Sequence, residues 1–102
     1  MPHADAILVE VDAELAALVP GFLARRREDA AAIRAAARAG DFATARSLGH
    51  QLKGSGGGYG FPEITRLGAE IEEAAKSHDA GRVVEWAETL SDYLRRLQVR
   101  YV

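Results

Sequence analysis

The chain has 102 residues, no cysteine, and 13 basic against 15 acidic side chains for a formal charge of -2. This length makes one domain with enough material for a core; the missing thiols exclude disulfides and thiolate metal sites and fit a reducing compartment. Near-neutral charge excludes a domain-wide basic field for nucleic acid, and no apolar run approaches the roughly 20 residues that span a bilayer. The start Met1-Pro2-His3-Ala4-Asp5 lacks the basic residues and apolar stretch of a signal peptide. The expected location is the cytoplasm.

Apolar residues recur at spacings of three and four in a chain dominated by Ala, Leu, Arg and Glu, which predicts an all-α fold. Residues 5–11 are β-branched enough to be extended, so residues 1–11 read as an arm over the rest. Asp12 is placed to cap a short helix through about Leu18, its carboxylate taking a free backbone N–H of the first turn. Pro20 suits the first turn of the next helix, which runs to Ala39 with Phe22, Leu23, Ala30, Ile33 and Ala37 inward and stops at Gly40. Its run Arg25-Arg26-Arg27 is answered by Glu28-Asp29 and reads as a solvated face.

Asp41 caps a third helix holding Phe42, Ala45, Leu48, Gly49, Leu52, Gly56 and Tyr59 on one side, with a bend or end near Gly60. Pro62 restarts the chain, with Ile64, Leu67, Gly68, Ile71 and Ala75 inward and Glu70, Glu72 and Glu73 on the wet side. After Asp79 a last helix carries Val83, Ala87, Leu90, Leu94, Leu97 and Tyr101, an alternation of four and three typical of a bundle seam. Short connections make sequential helices antiparallel neighbours. The predicted architecture is an antiparallel up-and-down four-helix bundle with a short additional N-terminal helix, one domain over residues 1–102.

Within the third helix, the run His50-Gln51-Leu52-Lys53-Gly54-Ser55-Gly56-Gly57-Gly58-Tyr59-Gly60 stands out. A glycine costs roughly 1 kcal/mol against alanine in a helix interior, so four of them are not there for helix stability. With Leu52 set inward, His50 falls at about 160° on the helical wheel, almost opposite the core. It should face solvent, with Arg46 one turn before it, Gly54 one turn after, Gly57 two turns after and Lys53 on the flank. Gly49 and Gly56 point coreward and suit close helix packing.

A neutral imidazole is a competent nucleophile, yet no acid, base or metal ligand stands near it in the sequence to run a catalytic cycle by itself. A group added to the ring nitrogen brings negative charge that Lys53 can partly neutralise, and phosphate is such a group. Other readings of the run fail on spacing. Lys53 precedes the glycines, no Gly-Lys-Ser/Thr follows and no strand precedes, which excludes a nucleotide loop. His3, His50 and His78 are isolated, with no partner ligand at i+4, which argues against a metal site.

His50-x-Leu52-Lys53-Gly54-Ser55 followed by Gly60 resembles the signature of histidine-containing phosphotransfer (HPt) domains, and the likeness extends to the Gly40-Asp41-Phe42 junction and the hairpin of residues 62–100. The resemblance implies a four-helix bundle whose exposed histidine exchanges a phosphoryl group with the aspartate of a response-regulator receiver domain in a two-component phosphorelay. It implies His50 as phosphoacceptor, Lys53 as charge partner of the phosphate and Gly54 as the small residue that admits the receiver. The partner surface is then expected around Arg46, Ser47, Gly54, Ser55, Gly57 and Gly58, with Arg34 or Arg38 at its margin.

Such a chain is a phosphocarrier without kinase activity of its own, with no bound cofactor and with Mg²⁺ held by the receiver. Its partners would be a receiver domain, a hybrid histidine kinase or both, with neither nucleic acid nor membrane, and a monomer is expected. The alternative is a module of the same fold that docks a receiver or kinase without being phosphorylated.

Overall fold

Each helix begins at a residue that fixes its first turn. In the computed structural model, which describes residues 5–102, α1 spans Val19–Arg38, α2 Phe42–Ser55, α3 Pro62–Lys76 and α4 Ala80–Arg96. Pro20 and Pro62 lie in the first turns of α1 and α3, where a missing N–H leaves nothing unsatisfied. The Asp41 carboxylate accepts the Thr44 N–H at 3.1 Å and its hydroxyl at 2.6 Å, and Asp79 accepts the Arg82 N–H at 3.1 Å. Between α1 and α2, Gly40 turns the chain at φ +74°.

The helices close a ring in which α1 packs on α2 and α4, and α3 on the same two. Phe22, Ile33, Leu52, Phe61, Ile64, Leu67, Ile71 and Leu90 fill its centre. All five inward positions expected in α1 are buried. Among the described residues no helix is long and apolar enough to cross a membrane. His3 and the rest of residues 1–4 lie outside the described part.

The two ends of the chain depart from the expected bundle. The last helix stops at Arg96, and Leu97–Tyr101 form a strand, β2, parallel to β1 at Ile7–Val11, with Ile7 opposite Leu97 and Val11 opposite Tyr101. Leu97 and Tyr101 are four apart, so they fit the helical seam; Leu97, Val99 and Tyr101 also alternate with Gln98 and Arg100, so they fit a strand equally well. What decides is β1, brought alongside by the bundle that serves as the long crossover a parallel pair requires. Two strands alone are marginal; here Ile7, Val9, Val11, Leu97 and Val99 pack on the core.

The expected short N-terminal helix shrinks to a single 3₁₀ turn, Ala13–Leu15. Asp12 does cap it, accepting the Glu14 N–H at 2.8 Å. The Ala13 N–H, however, goes to the carbonyl of Val102 at 2.9 Å, extending the strand pair at the expense of a helix.

Candidate functional site

Three glycines let α2 and α3 approach backbone to backbone. A Cβ on Gly49 would sit 2.8 Å from the Glu72 nitrogen, one on Gly68 would sit 2.7 Å from Leu52 Cβ and 2.8 Å from the Gly49 carbonyl, and one on Gly56 would sit 2.7 Å from the Phe61 carbonyl. Real side chains do not tolerate such separations. Because His50 follows Gly49, this approach carries the imidazole over α3 to within reach of Glu72.

His50 Nδ1 lies 3.0 Å from Glu72 Oε2, and Lys53 Nζ lies 3.5 Å from Glu72 Oε1. The His50 side chain is 72% exposed, as its place on the wheel requires, whereas Glu72 retains only 7% of its surface. An ionised carboxylate only accepts, so Nδ1 must donate. In the neutral ring the lone pair therefore resides on Nε2, on the edge turned away from Glu72. Burial by itself raises the proton affinity of Glu72, but the hydrogen bond from His50 and the positive charge of Lys53 outweigh it and hold the carboxyl below its usual 4.5.

Glu72 corrects two expectations. It is buried, whereas Glu73 is exposed and Glu70 half-exposed, so only part of that acidic group forms the wet side of α3. It also supplies the ionisable neighbour that His50 lacks in the sequence. A signal was present: Glu72 follows Gly68 by four residues and lies about 40° from it on the wheel, beneath the strip where α2 comes closest. Taken as a surface acid among acids, it was masked by Glu70 and Glu73.

The other candidates divide between the open face and the interior. Arg46 and Ser47 are exposed and line a shallow depression with Ala43, His50 and Glu72. A Cβ on Gly54 or Gly58 would meet nothing within 4 Å, and one on Gly57 only the Thr65 hydroxyl at 3.7 Å. Ser55 turns inward, its hydroxyl accepting from Arg26 Nη1 at 3.1 Å. Arg34 reaches Ser91 of α4 at 3.1 Å, so it faces away from any margin of the His50 surface; Arg38 is exposed.

Arg26 also departs from the solvated face expected for Arg25-Arg26-Arg27. It is half-buried, 2.9 Å from Asp29 and 4.8 Å above the Phe22 ring. Phe22 stacks on Tyr59 at 4.2 Å and on Phe61 at 5.9 Å. This aromatic cluster closes α2 from below, and Gly60, at φ +91°, makes the turn into α3 against Val11. A left-handed residue with a strand side chain pressed on it has to be glycine.

A family model, the Hpt domain, matches residues 8–100. The chain belongs to the Hpt domain family. The match takes in the four helices and all but the first residue of β1 and the last of β2. Membership implies histidine phosphotransfer in two-component systems, between Hpt domains and receiver or kinase domains. Comparison with curated proteins and with solved structures gave no match.

Proposed function

We propose that this Hpt chain carries a phosphoryl group on His50 Nε2, accepting it from, and returning it to, the aspartate of a receiver domain in a phosphorelay. The observation that supports this most is the orientation of the imidazole, with one nitrogen held by a buried carboxylate and the ring still largely exposed. In the forward step the Nε2 lone pair forms the N–P bond while the P–O bond to the receiver carboxylate breaks, and that carboxylate leaves with the electron pair. The ring gains positive charge as the bond forms. Its Nδ1–H then becomes a stronger donor, and the Glu72 carboxylate meets it with a charge-assisted hydrogen bond.

Glu72 thus has two tasks, choosing the tautomer and stabilising the charged ring. Retaining the proton on Nδ1 also keeps the phosphoimidazole a good leaving group for the return to aspartate. Lys53, 3.5 Å from the Glu72 carboxylate, holds it ionised. Little else is required of the protein, since phosphoryl transfer is chiefly alignment and charge neutralisation. Gly54 and Gly58 leave the approach open, and Arg46 and Ser47 border it on the other side.

The test is labelling of the full chain by phosphoramidate and by phosphorylated receiver domains. Wild type becomes labelled with the acid lability of phosphohistidine; His50→Gln, with an unchanged circular dichroism spectrum, does not. Label retained in His50→Gln removes the assignment, and wild type that binds a receiver without ever being labelled supports the docking module instead.

A further inference from the structure

Lys53 is not the free cation that its place beside His50 suggests. Its ammonium is 3.5 Å from the Glu72 carboxylate, and the opposite charges of that pair largely cancel at the distance of a phosphoryl group on Nε2. The neighbouring Lys76 is likewise engaged, 3.4 Å from Glu73. Arg46 is different. It lines the same depression as His50, lies one helical turn before it, where side chains are neighbours, and among the described residues makes neither an ion pair nor a side-chain hydrogen bond.

From this distribution of charge we propose that Arg46 is the principal counter-charge of the phosphoryl group on His50, with Lys53 serving chiefly to hold Glu72. The inference deepens the phosphocarrier reading and rests on it. A guanidinium presents a planar fork of donors that matches two phosphate oxygens at once. Arg46 shares with His50 and Glu72 the walls of one depression, open to an incoming phosphoryl group. The arrangement separates two duties around one ring: Lys53 and Glu72 fix it, and Arg46 receives the incoming charge.

The experiment is a phosphorus NMR titration of the full chain phosphorylated with phosphoramidate, with His50→Gln identifying the His50 resonance. A cation touching the phosphoryl group favours its dianion. Arg46→Gln should therefore weaken the group's acid dissociation constant about threefold, the size of an exposed charge contact, and Arg46→Lys should restore most of it. Lys53→Met should move the same midpoint less than Arg46→Gln does. An Arg46→Gln titration that overlays wild type, or a larger shift from Lys53→Met, overturns the assignment of Arg46 while leaving the phosphocarrier reading intact. Absence of any His50 resonance in wild type takes both down.

Discussion

Five glycines around the site fall into two groups with opposite surroundings. Gly49, Gly56 and Gly68 lie in the seam between α2 and α3, where a single added carbon would strike backbone; Gly54 and Gly58 have empty space around them. The first group shapes the interior by letting two helices approach until His50 reaches Glu72. The second contributes nothing to packing and leaves the ground beside the imidazole clear. One residue type thus serves both to build the site and to expose it, and the surroundings distinguish the two uses.

Substitutions can break this contrast in order of effect. Gly68→Val should destabilise the bundle by about 3 kcal/mol, as overpacking against backbone does, measured by urea unfolding; a loss below about 1 kcal/mol would mean the seam yields easily. Gly54→Leu should fold at least as stably as wild type while slowing transfer from a phosphorylated receiver about tenfold, equivalent to roughly 1.4 kcal/mol of docking. Labelling of Gly54→Leu by phosphoramidate, a donor too small to meet the leucine, should be normal, which separates access from chemistry.

Glu72→Gln tests what the packed seam delivers. It keeps the shape but loses the charge, and an amide can donate to Nδ1 and select the wrong tautomer; labelling by phosphoramidate should slow about tenfold with the fold retained by circular dichroism. A rate equal to wild type would show the contact to be incidental. Gly54→Ala marks the small end of the scale. With no steric conflict, it should stabilise the chain by about 0.5 to 1 kcal/mol, seen as a higher Tm, with labelling unchanged.

The pH dependence of stability gives the last and smallest test. Because the folded protein holds Glu72 below its usual 4.5, the unfolded chain takes up this proton first as pH falls. The group's contribution is therefore complete above that value and disappears as pH drops through the lower folded value. Wild type should lose Tm in that acid range more steeply than Glu72→Gln, and parallel curves would show that the carboxylate is not held by His50 and Lys53.

Much of this was readable in the residues themselves. Caps and prolines placed four helices, because a helix end must satisfy its own backbone groups with nearby side chains, and Asp41, Asp79, Pro20 and Pro62 do so locally. The outward direction of His50 followed from helical periodicity alone. Glu72 did not, since its burial depends on how closely another helix approaches, and that distance is set jointly by glycines on two segments. The inward turn of Ser55 depended likewise on Arg26 across the bundle.

The sequence by itself determined where the helices lie, which sides are apolar and that one histidine faces out, because these follow from bonds and periodicities within a single segment. The tertiary structure alone decided that Leu97–Tyr101 would be a strand, since its period suits either form and only β1 supplies a partner. It decided equally that an acid on one helix would hold the imidazole of another. Contacts between segments far apart in the chain have no local periodicity to announce them.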